Sequence, residues 1–135
     1  MELQTKIEVK KLGNISHSSR VMLLGSCFTE HISAQLEKLR FQTFTNPNGI
    51  TYNPISIANT LNRLINGKGY CKEDLGCHDG LYYSLEHHGC FSATSAEESI
   101  AKINKSFETA SIFLKKTTHI IITLGSSVVY ERDGQ

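Results

Sequence analysis

Ser26 and Cys27 are the residues placed to act as a nucleophile. They end the string Val21-Met22-Leu23-Leu24-Gly25-Ser26-Cys27, in which four apolar residues run into a glycine. Such a run reads as a buried strand of a parallel sheet that stops abruptly and hands over to a helix. Open α/β sheets place ligands at that junction. The first amides of a helix are unpaired and carry partial positive charge, so they favour an anionic nucleophile or a bound oxyanion. The plain alternative is that Ser26 caps the helix and Cys27 is a small buried apolar residue.

Three further strings carry groups that could join them. In Asn46-Pro47-Asn48-Gly49, Pro47 sets a turn and Gly49 can take a positive φ, baring backbone N–H groups that a side chain would shield. Gly125-Ser126-Ser127 repeats the pattern of strand, glycine and small polar residues after His119-Ile120-Ile121-Ile122-Thr123-Leu124. His87-His88-Gly89-Cys90 brings imidazoles and a thiol together, and Cys71, Cys77 and His78 lie near it in the chain. Zinc selects such ligands, usually in pairs two to four residues apart, but Cys71 and Cys77 are further separated and His87-Xaa-Xaa-Cys90 has no matching partner pair, so the reading is no metal site. Each histidine has an ordinary alternative as a loop residue bonded locally.

The elements that position these strings follow from periodicity. Phe28, Ile32, Leu36 and Leu39 recur at helical spacing after Cys27 and predict a stripe lying on the sheet. Arg40 to Thr45 reads as the second strand. Pro54 opens and Asn66-Gly67 closes a helix with Ile57, Ala58, Leu61, Leu64 and Ile65 facing the core. Ser95 with Glu98 forms a capping box before a long helix whose apolar face runs from Ile100 through Ile103, Phe107, Ala110, Ile112, Phe113 and Leu114. Leu81 to Leu85 reads as a short strand, Thr5 to Lys10 as an edge strand or strap, and His17 as a solvated loop residue. Right-handed crossovers then predict adjacent parallel strands at 21–25, 41–45 and 119–124, the first in the middle. Gly25-Ser26-Cys27, Asn48-Gly49 and Gly125-Ser126-Ser127 would leave that sheet at one carboxyl edge and converge on one pocket, with His87 or His88 lining it. His31, one helical turn beyond Cys27, is the nearest alternative base by spacing, although a helix generally points that position away from its N-terminal mouth.

Gly25-Ser26-Cys27-Phe28, followed by Thr29 where the family name has Ala, resembles the signature of the GSCFA domain family. Asn46-Pro47, Gly49-Ile50 and Tyr52-Asn53-Pro54 look like a second string of that family, as do His87-His88 with Phe91-Ser92, and Thr123-Leu124-Gly125 with Val129-Tyr130-Glu131. The family is similar to SGNH (GDSL-type) hydrolases, which implies a three-layer α/β/α fold with a mainly parallel sheet in flavodoxin-like order. Aligning Gly25-Ser26-Cys27-Phe28 with Gly-Asp-Ser-Leu puts Cys27 at the nucleophile position, with Ser26 the second choice. The resemblance makes Gly49 a backbone oxyanion donor. Ser127 stands where those enzymes carry an oxyanion-binding Asn, and its shorter hydroxyl reaches less far. Their base is a His held by an acid near the C-terminus, beyond several further strands. The expectation is therefore that residues 1–135 form the N-terminal portion of a single GSCFA/SGNH-like domain, an incomplete sheet with an edge open to pairing or self-association, and weak turnover at most.

Composition bounds the rest. The chain has 135 residues, 39% apolar and 20% charged, which suits one globular core. A net charge of +1 without basic runs excludes an electrostatic footprint for nucleic acid or anionic membrane. Met1 to Lys6 lacks a signal-peptide pattern and no apolar run reaches spanning length, so the chain reads as cytoplasmic with reduced cysteines. No cofactor is implied. The expected partner is a small-molecule ester or anionic ligand, and the competing reading is a non-catalytic module that binds an anion or a partner chain.

Overall fold

Val21, Met22 and Leu23 are fully inaccessible to solvent and Leu24 nearly so, which requires covering layers on both faces of their strand. In the computed structural model, which describes residues 13–129, this strand is β1 (Arg20–Gly25). It is followed by α1 (Cys27–Lys38), β2 (Gln42–Thr45), α2 (Pro54–Asn66), a hairpin of β3 (Gly76–His78) and β4 (Leu81–Tyr83), α3 (Ala96–Leu114) and β5 (His119–Thr123). The main sheet has the order β2-β1-β5, and both pairings are parallel, Val21 lying opposite Thr43 and His119. The central place of β1 and its parallel neighbours agree with the sequence reading.

The order explains the layers. A right-handed crossover from β1 to β2 puts α1 on one face, and the return from β2 past β1 to β5 reverses direction and puts α2 and α3 on the other. On that second face Met22, Leu24, Ile57, Leu64, Ile103, Phe107 and Ala110 form the hydrophobic core, with Phe44 of β2 packed against it. Asn53 caps α2 by accepting from the Ser56 amide, and Gly67 ends it in the left-handed conformation at φ 66°. Ser95 caps α3 by accepting from the Glu98 amide, while the Glu98 carboxylate turns outward to Lys102.

Three predicted faces are corrected. On α1 the residues buried against the sheet are Thr29 and Ser33, whereas Phe28 is 60% and Leu39 61% exposed. The reason is visible on the sheet: Thr43 and Thr45 of β2 and Thr123 of β5 turn hydroxyls toward α1, and Ser33 and Thr29 hydrogen-bond to them. Polar side chains thus win this face by satisfying one another out of water. On α2, Ala58 and Ile65 lie outside the core and Thr60 lies inside. On α3, Ile112 is exposed, one position away from Phe113, whose ring meets Phe44. His17 is an exposed loop residue as read, and it stacks on Phe41 at 4.4 Å with its Nε2 3.0 Å from the Leu39 carbonyl. The alternating residues Thr5 to Lys10, and Tyr130 with Glu131, lie outside the described residues.

Candidate functional site

Gly25 ends β1 at φ +140°, and a Cβ there would stand 2.1 Å from the Thr123 carbonyl oxygen, so only glycine lets the two strand ends meet. That contact turns Ser26 inward. Its amide donates to both the carbonyl and the hydroxyl oxygen of Thr123, and its hydroxyl shares a 3.0 Å hydrogen bond with Thr123 Oγ1. Thr29 Oγ1 contacts the same threonine oxygen. Ser26 is the residue at the N-cap of α1, but its side chain makes no capping bond. The expected cap is therefore corrected: the hydroxyl is buried in a three-membered cluster instead. Cys27 is exposed in the first turn of α1, so the reading of it as buried packing is also corrected. His31 is exposed farther along that helix.

The β2–α2 loop is built around Asn46, which takes a positive φ of 45°, a conformation that Asn tolerates better than most residues. Its amide donates to the Leu23 carbonyl, and its Oδ1 accepts from the Gly25 amide at 2.8 Å. Its carbonyl closes a turn by accepting from the Gly49 amide at 2.8 Å. The Gly49 N–H is thus consumed within its own loop and does not present itself as an oxyanion donor. Asn48 is buried and also committed, its Nδ2 donating to Tyr70 Oη and to the Glu86 carbonyl.

Past this turn the chain crosses the carboxyl edge of the sheet. Thr51 donates its amide to the Gly25 carbonyl, and the Tyr52 carbonyl accepts from the amides of Gly125 and Ser126 at 2.9 and 3.0 Å. Residues 51 and 52 therefore lace the end of β1 to the end of β5. The three glycine-bearing turns do leave one edge of the sheet, as expected, but the crossing segment takes up the Gly125 and Ser126 amides, which were predicted to face a ligand. Gly125 supplies close approach, since a Cβ there would lie 2.8 Å from the Tyr52 ring and 3.5 Å from Ser26 Cβ. Ser127 is exposed.

Beside this bridge lies a cavity of about 340 Å³, whose polar lining includes Tyr52, Asn53, Ser56, Glu86, His87, His88 and Ser126. It takes in His87 and His88 from the predicted set, and Ser126 from the predicted turn in place of Ser127. Ser26, Cys27, Asn48, Gly49 and Gly125 do not line it. The Gly125-Ser126 turn is a wall common to both regions, with Ser26 against Gly125 and the cavity against Ser126.

The two histidines are held differently. His87 is half-buried, its Nδ1 2.8 Å from Ser84 Oγ and its ring edge-on to Tyr70 and Phe91. Burial, and then the nearby Arg63 charge, push its imidazole down to about 4. His88 is exposed, accepts from the Cys90 amide through Nδ1, and donates its own amide to the Asn48 carbonyl. Behind them a charged network joins α2 to both loops. Arg63 bridges Asp74 at 3.0 Å and Glu86 at 3.2 Å and stacks over the Tyr70 ring, while Tyr70 Oη donates to Glu86. Burial above all holds the Tyr70 phenol well above its usual value, so it stays a donor. Asn46, Tyr52, Arg63, Tyr70, Glu86 and Thr123 were not singled out as organisers of the site by sequence reasoning. Asn46 and Tyr52 carried a signal inside the loop string noted above, and Thr123 inside the string Thr123-Leu124-Gly125.

Among the described residues no group of three or more His, Cys, Asp or Glu side chains could hold a metal ion, and no helix is long and apolar enough to cross a membrane. No curated protein and no solved structure matches the chain. The model of the GSCFA family matches residues 20–135, from the first residue of β1 through every element of the sheet. The chain belongs to the GSCFA family.

Proposed function

We propose that this chain carries the nucleophile side of an acyl-ester hydrolase site, with Cys27 as the attacking residue. One observation carries the reading: at the carboxyl end of the central strand, Cys27 is exposed in the first turn of a 12-residue helix while the adjacent Ser26 hydroxyl is buried against Thr123. Of the two candidate nucleophiles, only the thiol is open to a substrate. The similarity of the family to SGNH hydrolases supports the same choice, because Cys27 takes the nucleophile position there. Attack forms an Sγ–C bond on the ester carbonyl, the C–O bond breaks with its electron pair leaving on the alcohol, and the thiol proton passes to solvent. Amides of the first helical turn are the nearest source of oxyanion stabilisation.

The test uses p-nitrophenyl acetate and a chain in which the other exposed cysteines, Cys71, Cys77 and Cys90, are replaced by Ser. One p-nitrophenolate per chain should be released, with the acetyl group located on residue 27 by mass spectrometry. Its rate should exceed that of each of the other three thiols in the parent chain by about tenfold. Cys27→Ala should abolish the release and Ser26→Ala should retain it. Release that persists unchanged in Cys27→Ala would remove the assignment.

A second reading, a module that recruits another chain, is favoured by β5. Among the described residues this strand pairs only with β1, and Ile120 and Ile122 are 45% and 46% exposed beside its open edge. Self-association in sedimentation equilibrium that Ile122→Lys abolishes would support it, and a monomer at every concentration would sink it.

A further inference from the structure

We infer that the cavity between the α2 entry, the His87-His88 loop and the Ser126 turn is a binding site for an uncharged, hydroxyl-rich ligand the size of one sugar ring. The assignment deepens the proposed function by naming the part of an ester substrate this edge would hold, and rests on that reading only for its catalytic use.

Size comes first. A cavity of about 340 Å³ lies at the small end of the range of ligand pockets and suits a single ring rather than a long acyl chain. Its charge comes next. No Lys or Arg lines it, so it offers no cation to a phosphate or carboxylate. Glu86, which also lines it, has its Oε2 engaged by Arg63 Nε at 3.2 Å and by Tyr70 Oη at 2.9 Å, so its charge is offset by the guanidinium while Oε1 is left as a further acceptor. His87, with its imidazole held down to about 4, is neutral at physiological pH.

The remaining polar groups are neutral donors and acceptors with part of their capacity spare, and Ile50, Leu85 and Val128 complete the lining. Asn53 spends Oδ1 on the Ser56 amide, which leaves its Nδ2 hydrogens. Ser126 accepts from the Val128 amide, which leaves its hydroxyl hydrogen. His88 accepts at Nδ1 from the Cys90 amide, so a neutral ring carries its proton on Nε2. His87 meets Ser84 through Nδ1 and has Nε2 left. Tyr52 adds a flat ring, about half exposed, with a hydroxyl at its tip. Spaced neutral hydrogen-bonding groups beside an aromatic face match a ligand that has hydroxyls around its rim and C–H groups on its flat side.

Amide chemical shifts of the intact chain, titrated with methyl glucoside, methyl galactoside or N-acetylglucosamine and, separately, with acetate or inorganic phosphate, test this. At least one sugar should move the amides of Asn53, Ser56, His88 and Ser126 in a saturable way, and the two anions should not. Tyr52→Ala and His88→Asn, the latter keeping an acceptor for the Cys90 amide, should each weaken binding by about fivefold. Unchanged β1 shifts would show that the fold is intact in both. Cys27→Ala should bind as the parent does, so loss of acylation and loss of sugar binding are separate results. Shifts caused only by the anions, sugar-induced shifts confined to other surfaces, or no response to any of the three sugars would each overturn the assignment.

Discussion

Gly49 and His88 touch so closely that a Cβ on residue 49 would stand 2.4 Å from the Cβ of His88. The two loops they belong to are also joined by the His88 amide, which donates to the Asn48 carbonyl at 2.8 Å. Gly49 is thus a packing surface for the histidine loop, at a φ of +81° that few other residues tolerate.

Gly49→Ala should therefore combine backbone strain with overpacking and cost about 2 kcal/mol or more. Gly67→Ala provides the comparison, since its φ is +66° but a Cβ there meets nothing within 4 Å. It should cost only about 1 kcal/mol. Urea unfolding of both variants measures the difference, and equal costs would show that the Gly49–His88 contact adds nothing.

His87 should make stability depend on acid. Its imidazole titrates at about 4 in the fold, because of burial and then the Arg63 charge, and near its ordinary value of 6.5 when the chain is unfolded. Between these values the unfolded chain takes a proton that the folded chain refuses. The stabilisation is therefore fully present above about pH 6.5 and falls by about 3 kcal/mol as the pH drops to 4. Urea midpoints across this range should lose most of that slope in His87→Asn, and an imidazole titration by NMR should place the His87 midpoint well below that of a free histidine. A midpoint near the free value would refute the burial argument.

Thr123→Val should loosen the nucleophile turn. Thr123 Oγ1 bonds the Ser26 amide, the Ser26 hydroxyl and Thr29 Oγ1, so its loss strands two buried hydroxyls at once. The expected cost is about 1 to 3 kcal/mol. Ser26→Ala in the same background should then cost less than it does alone, because the partner is already gone. Additive costs in that double-mutant cycle would mean that the two side chains act independently.

Local chemistry made much of the frame legible. An unbroken apolar run ending in glycine marks β1, Pro54 and Gly67 bound α2, and Ser95 starts α3, because backbone sterics and caps act within a few residues of the chain. The central place of β1 was legible too, since the hand of β-α-β connections leaves few orders open. What faces what was not. The helical spacing of Phe28 and Leu39 suggests a buried stripe, yet Thr29 and Ser33 take the sheet face because threonines on β2 and β5, distant in sequence, turn their hydroxyls there. Gly49 and Gly125 are recognisable as turn residues. The Gly49 amide is taken by the Asn46 carbonyl three residues before it in a local turn, whereas the Gly125 amide meets the Tyr52 carbonyl only because the chain crosses the sheet edge there. The neutral state of His87 likewise depends first on burial among Tyr70 and Phe91 and then on the charge of Arg63, 24 positions earlier. Periodicity and capping are short-range effects that a sequence displays directly, whereas the pairing of donors with acceptors and the burial of a charge exist only between segments that folding brings together.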